Sequence, residues 1–124
     1  MTKQDLIKLR DKVAAGKAER FDPLFEIALY PLKNDMKIVY LANDANLAQD
    51  RTEGSIDAAV AFLEAVLPGW HYGISSISPT DNGKCFCGVS ENPFVSRKIF
   101  EAEADTPARA LLLATLDALI ERAE

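Results

Sequence analysis

The stretch "SIDAAVAFLEAVLPGW" runs from Ser55 to Trp70, and its two ends obey different rules. Ile56, Ala59, Val60, Leu63 and Leu67 recur at spacings of three and four, so they share one stripe of an α-helix, which Phe62 and Val66 widen. Ser55 suits the N-cap, where its hydroxyl accepts from a first-turn amide. Asp57 adds a carboxylate near the positive end of the helix dipole. Pro68 disfavours helical geometry at the residue before it, and Gly69 permits the reversal that follows. The helix is expected to end here, with Trp70 at the corner.

Beyond the corner the apolar period drops to two. "WHYGISSI" (Trp70 to Ile77) sets Trp70, Tyr72 and Ile74 on one side of a strand. "SPTDNG" is turn chemistry, and its Asp81-Asn82-Gly83 is hairpin punctuation. "KCFCGVS" (Lys84 to Ser90) reads as a second strand, "ENP" as a turn, and "FVSRKIFEAEA" (Phe94 to Ala104) as a third. Thr106 then caps a last helix with Pro107 in its first turn. Leu112, Leu116, Leu119 and Ile120 line its buried face, flanked by Leu111 and Leu113. Short connections from strand to strand point to a meander.

Upstream, Asp5 to Ala15 carries Leu6, Leu9 and Val13 at helical spacing and ends near Gly16. A second short helix starts at Pro23 under an Asp22 cap, with Phe21, Leu24, Phe25, Ala28 and Leu29 on one face, and Pro31 is expected to stop it. Lys33 to Gly54 reads as a long irregular connection, with at most one short strand at "KIVYLA" (Lys37 to Ala42). The expected class is α+β: a three-stranded antiparallel meander sheet packed with helices, in the order α-α-loop-α-β-β-β-α. One domain is expected over residues 1–124. Residues 1–54 would supply a helical pair and a loop, and residues 55–124 an α-β-β-β-α core.

These residues carry a resemblance. "SIDAAVAFLEAVLPGW", followed by "EADTPARALLLATLDAL" (Glu103 to Leu119), is similar to a family of small phage- and prophage-encoded proteins, the phage ABA sandwich family. The family pattern is a Ser-Leu-Asp-Ala-Ala helix, a Leu-Pro-Gly-Trp corner, a hairpin, then Ala-x-Thr-Pro-Ala before an alanine- and leucine-rich helix. The match covers roughly Ser55 to Arg122. It departs at Ile56, where the family has leucine, and at His71-Tyr72, where another aromatic is usual. The resemblance implies a sheet between helical layers and a phage context. It brings no catalytic residues with it.

Composition narrows the function classes. The chain has 124 residues and a formal net charge of -5, so its overall field repels a phosphate backbone and nucleic acid is a disfavoured partner. The apolar run Ala110 to Ala114 is far too short to span a membrane. Met1 to Arg10 lacks the apolar core of a secretory signal, which points to the cytoplasm of a host cell. Cys85 and Cys87, two apart on a strand, would lie about 6.6 Å apart on one face. That separation suits reduced thiols better than a disulfide.

No cofactor, metal or catalytic set is expected. One histidine and two cysteines are too few for a zinc site, and nothing is spaced as C-x-x-C. His71 would approach Cys85 only if the hairpin paired them, and no third residue would orient it. Glu101, Glu103 and Asp105 alternate as on a solvated strand face leading into a helix. Phe94, after Asn92-Pro93, and the basic pair Arg97-Lys98 are the candidate partner contacts. Three functions remain. The leading one is a non-enzymatic module that binds another protein or its own copies, as a homo-oligomer. A second is a nucleic-acid-associated module, because helix–three-strand–helix is also the order of the double-stranded RNA-binding domain. A third is a protein that binds a small molecule or nucleotide between sheet and helices.

Overall fold

A helix that is apolar all round must be enclosed, and the C-terminal helix is one: every residue from Ala110 to Leu116 is buried. The computed structural model describes residues 2–19, 22–46, 53–75, 85–91, 99–104 and 106–122. In order these form α1 (Thr2–Ala14), α2 (Pro23–Lys33), α3 (Met36–Asn46), α4 (Glu53–Val66), β1 (His71–Ser75), β2 (Cys85–Ser90), β3 (Phe100–Ala104) and α5 (Pro107–Arg122). The class is α+β. Helix α5 sits at the centre, against all three strands and against α1, α3 and α4.

The sheet is an antiparallel meander in the order β1-β2-β3. Its register pairs Cys85 with Ala104, Cys87 with Ala102 and Val89 with Phe100, which fixes the face turned to α5. Cys85, Cys87 and Val89 are buried there, with Phe100, Ala102 and Ala104 partly buried. The corner forms as the sequence requires. Helix α4 ends at Val66 and Gly69 takes φ 84°. Thr106 caps α5, its Oγ1 accepting from the Arg109 amide at 3.2 Å. Trp70 is half-buried at the corner, 6.2 Å from the Phe100 ring and beneath the Arg122 guanidinium at 5.7 Å.

The N-terminal half departs from the expected helical pair and loop. The "KIVYLA" segment lies in α3, and Ile38, Ala42 and Ala45 on one row and Val39, Asn43 and Asn46 on the next are all buried. Those spacings of three and four are helical, and they outweigh the strand preference of adjacent β-branched and aromatic residues. Asp35 starts the helix by accepting from the Lys37 amide at 2.9 Å. Pro31 does not stop α2. It is exposed in the last turn, where few amide bonds remain to lose, and the helix closes at Asn34 (φ 52°), whose amide donates to the Tyr30 carbonyl at 2.7 Å. Helix α4 begins at Glu53, so Ser55 lies within the first turn and is not the cap.

Polar contacts set how the helices meet. Helix α1 ends in a Schellman motif: Gly16 (φ 71°) donates to Val13 and Lys17 to Lys12, at 3.0 and 2.9 Å. Arg10 Nε donates to Asp117 Oδ1 at 2.8 Å, tying α1 to the one acidic residue of α5's middle turns. Asp22 accepts from Leu24 N at 3.0 Å and from Lys12 Nζ at 2.6 Å. Burial acts to raise the Asp22 pKa, but the Lys12 ammonium and the Leu24 amide hold it below the usual carboxylate range. Thr115 sits inside α5 because its hydroxyl donates back to the Leu111 carbonyl at 2.8 Å.

If enclosure of α5 holds the fold together, Leu116→Ala should lower the unfolding free energy by roughly 2–5 kcal/mol. Ile27→Ala, at a half-exposed position of α2, should change it by no more than about 0.5 kcal/mol. Urea denaturation followed by circular dichroism measures both.

Candidate functional site

The sheet has a second face, and no described helix packs on it. Along the strands it carries His71 and Gly73, then Phe86, Gly88 and Ser90, then Glu101 and Glu103, because alternate residues point to opposite faces. Gly73 pairs with Gly88 across the centre, leaving a low floor. Ile99 lies over that floor: a Cβ at Gly88 would meet Ile99 Cγ2 at 3.2 Å. Phe86 is 39% exposed and Ile99 57%. Together with Ser90 and Glu101 they border a groove of about 340 Å³. The sheet is thus covered by helix on one face only. The arrangement implied by the resemblance, a sheet between helical layers, is not built by the described elements.

A larger cleft, about 470 Å³, runs along the free edge of β3. Its walls are Glu101 to Ala104 on one side and the C-terminal turn of α1, Val13 to Gly16, on the other. Leu113, Arg10 and Arg109 complete its lining. Arg10 is held by Asp117. Arg109 Nη2 donates to the Asn46 carbonyl at 2.6 Å, at the negative end of α3. Asn46 Nδ2 in turn donates to the Ala18 carbonyl at 3.1 Å, so α5, α3 and the α1–α2 link share one chain of hydrogen bonds. Arg109 Nε is buried with no hydrogen-bond partner among the described residues.

The thiols lie on the other face. Cys85 and Cys87 are free and buried against α5. Burial pushes the Cys87 thiol up to about 12, and neighbouring Cys85 adds to the shift. Its Sγ donates to the Pro107 carbonyl at 3.4 Å. It is a packed apolar group carrying a proton. The pairing that would have set His71 beside Cys85 does not occur, since His71 pairs with Ser90 and is exposed, on the opposite face from both thiols. Among the described residues no cluster of histidine, cysteine, aspartate or glutamate is arranged to hold a metal ion, and no helix is long and apolar enough to cross a membrane.

The three partner contacts expected from sequence, Phe94, Arg97 and Lys98, lie outside the described residues. Of the exposed aromatics among the described residues, Tyr30, Tyr40, Tyr72 and Phe86, the one that borders the groove on the outer face of the sheet is Phe86. Its signal was present in "KCFCGVS", where it alternates with two buried cysteines, but alternation alone leaves open which face is covered. No family model, curated protein or solved structure matches this chain.

At neutral pH the Cys87 thiol is protonated whether the chain is folded or unfolded, so it imposes no pH dependence there. Above about pH 8.5 the unfolded chain sheds a proton that the folded chain keeps, and stability falls by about 1.4 kcal/mol per pH unit. The loss continues until pH approaches about 12. The slope between pH 9 and 11 should therefore be steeper in the native protein than in Cys87→Ala, as read by urea midpoints across that range. A thiol reagent at pH 8 should modify Cys87 only after denaturant is added.

Proposed function

We propose that this chain is a non-enzymatic binding module of phage or prophage origin, acting in a host cell by holding another protein. The observation that carries the reading is the one-sided sheet. Its outer face offers Phe86 and Ile99 beside exposed glutamates, over a floor lowered by two glycines. Apolar side chains grouped at a groove and rimmed by charge are the usual make-up of a protein-binding patch. Glu101 and Glu103 suit a partner with basic residues and disfavour a phosphate backbone. The phage origin rests on the resemblance of the corner and the last helix.

The nucleic-acid reading loses ground on the position of α5. The strand and helix order is that of the RNA-binding domain, yet α5 is enclosed, and Arg109, the only cation of its first turns, is tied to α3. Self-association uses the same kind of surface and is separable by experiment.

Phe86→Ser and Ile99→Ser remove apolar surface without entering the core, so both variants should keep the native circular dichroism and melting temperature within a few degrees. Tagged native protein should reproducibly capture one protein from the cells in which it is expressed naturally, and Phe86→Ser should lose at least about tenfold of that recovery. Sedimentation velocity on the purified chain distinguishes self-binding from hetero-binding. A monomer that captures nothing, or whose capture is indifferent to Phe86→Ser and Ile99→Ser, overturns the reading.

A further inference from the structure

The edge of β3 is the second feature that a partner could read. β3 is terminal in the sheet, and along Glu101 to Ala104 its far side makes no backbone–backbone hydrogen bond to the described residues. Unpaired edges are usually shielded, because their free N–H and C=O groups template the addition of another strand. Here the edge faces an open cleft instead. The opposite wall of that cleft is the last turn of α1, where Ala14, Ala15 and Gly16 keep side chains short and leave room for a backbone.

We propose that the cleft takes an extended polypeptide segment as a fourth strand beside β3, with lysine or arginine at every second position facing Glu101 and Glu103. This deepens the protein-binding reading and rests on it. The geometry dictates the alternation. In an added strand, one set of side chains stands on the outer face level with Glu101 and Glu103, where opposite charges directly across attract. The other set turns inward over Ala102, Ala104 and Leu113, which suits small apolar residues. Main-chain hydrogen bonds supply affinity, and the alternate side chains supply selectivity.

The same charges decide against a second copy as the occupant. Antiparallel pairing of two β3 strands about Ala102 would set each Glu101 opposite Glu103 of the second copy. Like charges directly opposite are destabilising, so the edge is closed to itself and open to a basic strand. Arg10 and Arg109 do not cancel this preference: Arg10 is occupied by Asp117, and Arg109 is drawn beneath the cleft towards the Asn46 carbonyl.

Fluorescence anisotropy with labelled heptapeptides tests the proposal on the full chain. The probes are a peptide alternating valine and lysine, its valine–glutamate counterpart, and the lysine peptide N-methylated at alternate residues in each of the two phases. The lysine peptide should bind at least about tenfold tighter than the glutamate one. Glu101→Lys with Glu103→Lys, both at exposed positions, should invert that order. One N-methylated phase should lose binding and the other retain it, because only alternate amides of the added strand face β3. Equal binding of both charge types, or of the lysine peptide to a Glu101→Gln, Glu103→Gln variant, overturns the proposal. So does binding that survives methylation in both phases, which marks a surface charge contact. If no peptide binds while a partner is still captured through Phe86, the strand proposal falls and the protein-binding reading stands; if capture fails as well, both fall.

Discussion

The architecture depends on keeping water from a helix that has no wet side. Leu111, Leu112 and Leu113 of α5 are all buried although successive residues point about 100° apart around its axis. Each such side chain stabilises the fold by roughly 1.5–3 kcal/mol when removed from water, so no single neighbour can recover most of that gain. The sheet takes one flank, and α1, α3 and α4 take the others. The acidic exception, Asp117, is placed where Arg10 can reach it. A carboxylate partly withdrawn from water is costly unless it is paired, so the ion pair also fixes the side on which α1 docks.

Among the described helices α5 alone packs closely on the sheet, and this explains what is left over. A three-stranded sheet has two faces and two edges. One face meets α5. No described helix covers the other face or the β3 edge, and the residues there differ from those of the core face. Cysteine, valine and alanine line the inside, while phenylalanine, glycine and glutamate line the outside. The acidic pair serves two ends at once, since it guards the edge against self-pairing and offers a basic segment its counter-charges.

How much of this was legible in the residues varies by element. Pro68-Gly69, Thr106-Pro107 and Gly16 act through backbone geometry that is local to a few residues, and all three sit at helix boundaries in the structure. The three strands follow from period two alone. Helix α3 reads as a possible short strand because isoleucine, valine and tyrosine in a row (Ile38 to Tyr40) have strand preferences, while α3 packs against α2, α4 and α5. The cleft was not legible. It brings the end of α1 against β3, nearly ninety residues later, and no sequence spacing encodes that approach. Glu101 and Glu103 were recognised as an alternating acidic face, which is correct, but nothing in their spacing shows that they stand at an edge.

The kinship of order with the RNA-binding domain shows why topology is a weak guide to activity. An α-β-β-β-α order states which elements are neighbours in the chain, and leaves open which flank of a helix faces out. A groove-reading helix needs one polar flank bearing cations. Helix α5 spends both flanks on burial because α1 and α3, besides α4, close upon its apolar surface. Once α5 is internal, the surface that the described helices leave bare lies elsewhere on the sheet. In this chain that is the acidic, glycine-floored side of the sheet and the strand edge beside it.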